Sequence, residues 1–342
     1  MYEIVNEEKA VIRIKKTDKI SKEMDVFYNP IMKLNRDITI LLLQQFPPMN
    51  LCDPLAASGI RAIRFAKELG YKSIVANDLS EKAVDSIKKN MRHNKVKFKI
   101  KNEDANLFLL NSKGFDYIDI DPFGTSNSYL DSAVKRISRN GILAVTNTDT
   151  AALTGTYSKA CIRKYWSMPK KDYMMHETGL RILIRKVQLI GMQYEKALIP
   201  IFSYFKEHYF RVFFRCVKGK KFCDEIALEQ GMFNGAGPLW RGCLWDNKLA
   251  NKIYSSLLKN NKKINNKELL KFLKIIKDES RINSIGFYDM HNIAKKTKLN
   301  TMMKKEELIR KIRKRGYKAS NTHFLGTGIR TDISLEKFLK LL

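Results

Sequence analysis

Short apolar runs alternate with helical patterns along the first half of the chain, in an order that predicts βαβ units. Ile38–Phe46 is apolar and stops at Pro47–Pro48, the signature of a helix ended by proline. Strands are predicted over Asn50–Leu55, Ser73–Asn77, Lys97–Asn102, Phe115–Ile120 and Gly141–Thr146, with helices over Gly59–Leu69 and Ser80–Asn94. Strands separated by helices of this length imply a largely parallel sheet, hence an α/β fold of the Rossmann-like kind. Ser203–Tyr204 and Tyr209–Val217, aromatic and β-branched, predict later strands, one of them antiparallel. Thr150–Lys171 has no clean period and reads as a substrate-facing insertion.

After about residue 220 the pattern changes. Lysine-rich helices are predicted over Lys248–Leu258 and Lys267–Lys277, a short strand at Ile285–Tyr288 and a helix over Met290–Thr297. A strongly basic helix follows over Lys304–Arg315, then a strand, a turn and a strand from Tyr317 to Asp332. This order is winged-helix-like, and the basic helix either faces nucleic acid or forms a solvated surface. Two domains are therefore expected, residues 1–219 and residues 220–342, the second smaller, α+β and more basic.

Composition sharpens that division. The chain of 342 residues carries 64 Lys and Arg against 35 Asp and Glu, a net charge of +29. Residues 220–342 hold 27 of those cations but only 12 of the acids. Such an excess favours a polyanionic partner, because each phosphate contact releases condensed counterions. The five cysteines form no C-x-x-C pair, and the charged start MYEIVNEEKAVIRIKK is unlike a secretory signal. With no apolar run of about 18 residues, a membrane span is not expected and a cytoplasmic location is.

Candidate chemistry gathers at the ends of the predicted strands. The first ends at Asp53 and runs through small residues to Gly59 before a helix begins, which allows close backbone approach by a ligand. Asn77–Asp78 ends the second strand, where a carboxylate either holds ribose hydroxyls or caps the next helix. Asn102–Glu103–Asp104–Ala105 ends the third. No Walker-type loop is present, and an acidic first loop suits the cationic methionyl sulfonium of S-adenosylmethionine better than phosphate. At the fourth strand's end stand Asp121, Pro122, Phe123 and Gly124. Asp121 and the Pro122 carbonyl supply two acceptors for an exocyclic amine, and Phe123 an aromatic face for a base. A single carboxylate matches the adjacent N1–H and N2–H₂ donors of guanine better than adenine, whose N1 is an acceptor.

These residues resemble the archaeal and eukaryotic tRNA (guanine26-N2)-dimethyltransferases, nearly end to end. The likeness rests on Phe27-Tyr-Asn-Pro-Ile-Met-Lys-Leu-Asn-Arg36-Asp37, Ser58–Phe65, Asn77-Asp78, Asp121–Gly124 and Thr146–Asp149. It continues through His176-Glu-Thr-Gly-Leu-Arg181, Gly237–Trp240 and Gly328–Asp332. The resemblance implies a Rossmann-like methyltransferase domain, then a family-specific C-terminal tRNA-binding domain. It implies that Arg36, Arg61, Asp78, Asp104 and Ala105 surround S-adenosylmethionine, to which the acidic first loop adds Asp53. It implies Asp121 as the catalytic acid, Phe27 and Phe123 as the aromatics about the target guanine, and N2,N2-dimethylguanosine at tRNA position 26 as product. Family members with a Cys₄ zinc ribbon depart from this chain, where Cys216, Cys223 and Cys243 are too few, so no metal is expected. His176-Glu177 begins like a zincin motif, but Leu180 stands at the second histidine position, which excludes a metalloprotease. The competing readings are an amino-methyltransferase of rRNA or DNA and a non-catalytic winged-helix nucleic-acid binder.

Overall fold

A computed structural model describes residues 2–15, 26–260, 266–297 and 303–342. An N-terminal hairpin, β1 (Tyr2–Glu7) and β2 (Ala10–Lys15), comes first. Its inward residues Ala10, Ile12 and Ile14 pack with Tyr28, Ile60 and Ile63. Helix α1 (Lys33–Leu43) starts five residues before the apolar run that predicts it. Asn29 caps a short 3₁₀ turn over Pro30–Met32 that leads into it, and its first turns bury Asn35, Arg36 and Asp37. Polar residues buried through ion pairing are invisible to a hydrophobic pattern.

The Rossmann-like core follows as β3 (Met49–Asp53), α2 (Ile60–Glu68), β4 (Tyr71–Asn77), α3 (Glu81–His93) and β5 (Lys99–Lys101). It continues through α4 (Ala105–Leu110), β6 (Phe115–Ile120), α5 (Asn127–Arg136) and β7 (Ile137–Asn147). The seven-stranded sheet has the order β5-β4-β3-β6-β7-β9-β8, and β3 pairs in parallel with both β4 and β6. The chain thus runs outward from β3 to β5, then returns to lay β6 on the other side. That reversal makes a crevice at the carboxyl ends of β3 and β6, where ligands of open α/β sheets bind. Covered on both faces, the central strands are apolar almost throughout: Leu51, Cys52, Tyr117, Ile118, Ile142 and Leu143 are buried.

Next come α6 (Thr150–Leu153), α7 (Ser158–Tyr165) and the long α8 (Met175–Met192). Strands β8 (Lys196–Lys206) and β9 (Tyr209–Lys218) are neighbours joined by two residues, the connection of an antiparallel pair. The remainder is α9 (Lys220–Leu228), the hairpin β10 (Gln230–Phe233) and β11 (Ala236–Trp240), α10 (Asn247–Asn260) and α11 (Lys267–Glu279). Last come β12 (Tyr288–Asp289), α12 (Met290–Thr297), α13 (Lys305–Lys314), β13 (Ala319–Asn321), β14 (Gly328–Thr331) and α14 (Leu335–Leu339). The small sheet is antiparallel, in the order β12-β14-β13. Ile293, Leu308, Ile309, Ile312, Ile329 and Phe338 share one apolar cluster beneath it.

The chain divides into two compact units. One takes residues 1–148, 187–199 and 213–224, the other residues 149–186, 200–212 and 225–342. This division departs from a single cut at 219/220, because α6, α7 and most of α8 belong with the C-terminal residues. Met168 bridges to Gly237, and Arg181 donates to the carbonyls of Trp240 and Gly242. Among the described residues no helix is long and apolar enough to cross a membrane.

Candidate active site

Side chains at the strand tips of the first unit lash its loops together. The Asn77 amide donates to the carbonyls of Pro54 (3.1 Å) and Glu103 (2.9 Å) and accepts from the Glu103 N–H. One residue therefore ties the ends of β3, β4 and β5. Next to it, the Asp78 carboxylate accepts from the Ala57 N–H at 2.8 Å and the Ser80 N–H at 2.9 Å. That grip holds the β3–α2 turn, where Ala57 has φ 47° and Gly59 φ 76°. A Cβ on Gly59 would lie 3.1 Å from Ile87, so the glycine meets both a backbone and a packing demand. Asp104 caps α4 by accepting from Asn106 and Leu107, with Ala105 buried at the first helical position. Asp78 and Asp104 stand at the strand ends expected of ligand-binding carboxylates; Asp78 braces its own loop and the neighbouring β3–α2 turn, and Asp104 braces its own.

A denser arrangement surrounds Arg61, in the first turn of α2. Its Nη2 donates to Oδ2 of Asp121, and its Nη1 lies 3.1 Å from Oδ2 of Asp119 and 3.2 Å from Oδ1 of Asn35. Asp119, fully buried, also accepts from the Tyr117 hydroxyl. Tyr117 and Asp119 alternate along β6 and so share a face, and Asp121, the first residue past its end, keeps the same spacing. Asp53 is 2% exposed at the adjacent strand tip. Burial pushes its carboxyl up, Arg61 pulls it back, and Asp119, Asp121 and Asp78 push it up again, to about 7. Three carboxylates thus crowd one guanidinium, with a fourth nearby, and the Asp121 side chain remains 18% exposed. The sequence reading missed Asp119, although its two-residue spacing from Asp121 on a strand was a signal for it.

The loop after β6 is clamped from both sides. The Gly124 N–H donates to Oγ1 of Thr148 at 2.8 Å, and its carbonyl accepts from the Thr148 N–H at 2.9 Å. Gly124 takes φ 72°, which turns Pro122 and Phe123 outward from the sheet. Phe123 is half exposed, and its ring meets that of Phe27 edge-on, centroids 4.2 Å apart. A base held between two rings needs them about 7 Å apart, twice a stacking distance of roughly 3.4 Å. The two aromatics are neighbours as expected, and as they stand no ring fits between them. Arg36 reaches a different partner. It grips Glu7 with Nε and Nη2 and donates to the Asn29 carbonyl, while Tyr28 donates to the same Glu7. Burial alone would raise the Glu7 carboxyl, but Arg36 and Tyr28 hold it below its ordinary value. In this geometry Arg36 anchors the segment that carries Phe27.

The second unit has its own ionic centre. Glu177 accepts from Arg181 (2.9 Å), from Arg330 (2.6 Å) and from the Gly286 N–H. Arg330 also reaches Glu279 at 3.0 Å, and Glu279 contacts Nδ1 of His323. Burial would raise Glu177, but Arg330 and Arg181 outweigh it and hold the carboxyl at about 2. His176 stacks on Phe205 with centroids 3.9 Å apart. His176–Arg181, Gly237–Trp240 and Gly328–Asp332 therefore converge on one sealed network. Cys216 and Cys223 are buried and Cys243 is exposed. Among the described residues no group of three or more His, Cys, Asp or Glu is disposed to hold a metal ion.

Comparison with known proteins decides what this arrangement belongs to. The family model of N2,N2-dimethylguanosine tRNA methyltransferases matches residues 5–234 and 225–342. The chain belongs to this family. A tRNA (guanine(26)-N(2)/guanine(27)-N(2))-dimethyltransferase of Aquifex aeolicus is 38% identical, over 99% of this chain and 95% of that one. A tRNA (guanine(26)-N(2))-dimethyltransferase of Pyrococcus horikoshii is 37% identical, over 98% and 97%. The solved structure of Trm1 from Pyrococcus horikoshii with S-adenosyl-L-methionine superposes with a TM-score of 0.89 at 35% identity, covering 99% of each chain. The likeness to the dimethyltransferase family thus spans both compact units.

Proposed function

We propose that this chain moves two methyl groups from S-adenosylmethionine to the exocyclic N2 of guanine 26 in tRNA, in the cytoplasm. The observation that carries the reading is the surplus of carboxylates around Arg61 at the sheet's switch point, with Asp121 on its open side. A cation seated there would offset charge that one guanidinium leaves unbalanced, so the residues fit a sulfonium nucleoside. Asp53, Arg61, Asp78, Asp104 and Ala105 would hold it, with Arg36 supporting from the Phe27 segment. When bound, S-adenosylmethionine supplies an electrophilic methyl group.

The protein's task is to make a poor nucleophile competent. The lone pair on guanine N2 is delocalised into the ring, and acceptors directed at its N–H bonds localise it. Asp121 and the Pro122 carbonyl are those acceptors, with Asp121 also facing N1–H. Each transfer would form one C–N bond as the S–CH₃ bond of the sulfonium breaks, with the neutral thioether as leaving group, and would release one proton from N2, which Asp121 takes up. Arg61 holds one oxygen of that carboxylate in place, as preorganised electrostatics requires. Phe27 and Phe123 part to take the base, which is extruded from its stack at a cost of a few kcal/mol.

We read residues 220–342 as the tRNA-binding domain. Its segment β12-α12-α13-β13-β14 supports a winged-helix-like reading, and α13 exposes Arg310, Lys311, Arg313 and Lys314 over a buried Leu308–Ile312 face. The test is incubation of an unmodified tRNA transcript with enzyme and cofactor, followed by nucleoside mass spectrometry and primer extension. N2,N2-dimethylguanosine at position 26 is expected. The Aquifex relative's name also carries guanine 27, and the primer-extension stop separates the two positions. Methylation of rRNA or DNA but not tRNA would overturn the reading.

A further inference from the structure

Helix α7 and the turn after it carry a surface that the proposed mechanism does not use. Between Asp149 and Asp172 the chain has five cations and no acid. Lys164 and Lys170 turn toward those flanking acids, at 2.9 and 3.7 Å. Lys159 and Arg163, four residues apart on α7, are exposed on one helix face, and Trp166 lies a further three residues on. Trp166 ends the helix in a left-handed conformation, φ 56°, and its indole is 48% exposed. A non-glycine residue there is uncommon, and it leaves a large aromatic ring on a charged surface rather than in a core.

Beneath the ring lie two more cations. Lys186 Nζ is 3.0 Å from the indole centroid, and Arg185 donates to the Trp166 carbonyl at 3.2 Å. Lys186 is buried, and among the described residues neither it nor Arg185 forms an ion pair. The charge Lys186 feels from its neighbours is that of Arg185, a like charge. A buried cation without a counter-charge behind an exposed ring, with the half-buried Arg185 beside it, is costly to the free protein, and an anion close by lowers that cost.

We propose that Lys159, Arg163 and Trp166, backed by Arg185 and Lys186, form a tRNA-contact surface that binds backbone phosphates and stacks one unpaired base on the Trp166 ring. The inference rests on the tRNA reading above and extends it to a surface outside residues 220–342. RNA fits better than an acidic protein, because an aromatic face beside spaced cations matches alternating bases and phosphates.

The test measures binding of an unmodified tRNA transcript to the full chain across salt concentrations, with S-adenosylmethionine affinity and methylation measured in parallel. Trp166→Ala should weaken tRNA binding about 5- to 150-fold, the range of one base–aromatic stack. Trp166→Phe, which keeps a ring, should recover most of it. The double variant K159E/R163E should weaken binding and lower the slope of log affinity against log salt by about one to two. All three should keep wild-type cofactor affinity. Should Trp166→Ala also lose cofactor affinity, the double variant decides, since its residues are exposed. Unchanged tRNA binding and salt slope in K159E/R163E, with wild-type protein active on tRNA, overturns this surface alone. Failure of the wild-type protein to methylate tRNA overturns the functional reading, and the surface with it.

Discussion

Arg61 and Arg330 are both buried guanidiniums that grip two carboxylates, and they do opposite things. Around Arg330 the charges close: Glu177 and Glu279 face Arg330 and Arg181, and every member is enclosed. Around Arg61 they do not: Asp119 and Asp121 already engage it, Asp53 is added, and Asp121 keeps an open side. A balanced and sealed network holds a fold. An acid surplus at a crevice costs the free protein and is relieved by a cation. The displacement of Asp53 and Glu177 in opposite directions, to about 7 and about 2, expresses that contrast.

Removing one acid from each centre therefore has opposite consequences. Glu177→Gln should destabilise the protein by about 3–5 kcal/mol in denaturant unfolding, since it breaks the buried pairs to Arg181 and Arg330 and leaves Arg181 without its carboxylate. Its effect is pH-dependent. A carboxyl held at about 2 against an ordinary 4.5 gives stability that is complete above 4.5 and lost as pH falls toward 2. The variant should lack that acid limb, and an unchanged acid profile would remove Glu177 from the fold's support.

Gly59→Ala comes next. Its φ of 76° and the 3.1 Å approach to Ile87 should cost about 1–2 kcal/mol, read as a lowered melting temperature. Wild-type stability would mean that the β3–α2 turn relaxes freely.

Asp53→Asn should change stability in the other direction. A carboxyl raised from 3.8 to about 7 makes folding less favourable as pH rises through that window. The amide should therefore be more stable than the wild type at pH 8 and close to it near pH 4. It should also weaken S-adenosylmethionine relative to the neutral thioether product, by isothermal titration. Destabilisation at pH 8 would mean that the Asp53 charge is compensated after all.

The sequence displayed one of these centres far better than the other. Parallel strands buried on both faces read as apolar runs, so the order of sheet and helices was legible, and with it the acids at the strand tips. Asp53, Asp78, Asp104 and Asp121 stand where that order puts them. What the pattern could not show is pairing across distance. Arg36 is adjacent to Asn35, which touches Arg61, yet Arg36 itself turns to Glu7 across the N-terminal hairpin. Glu177 and Arg330 are separated by 153 residues, so His176-Glu177 showed only what it was not. Helices α6 and α7 escaped because they are short and α7 exposes Ile162 and Trp166, which blurs any apolar stripe. Asn77 was legible as a strand end, but not as the clasp of three loops.

Single-turnover methylation by Asp121→Asn, with tRNA and S-adenosylmethionine both saturating, tests most directly whether the carboxylate surplus around Arg61 is the reacting site. The amide preserves the size of the side chain but cannot accept the N2 proton. The account predicts that both ligands still bind and that the rate of N2-methylguanosine formation falls at least about 100-fold. Formation of dimethylguanosine at the wild-type rate would contradict it.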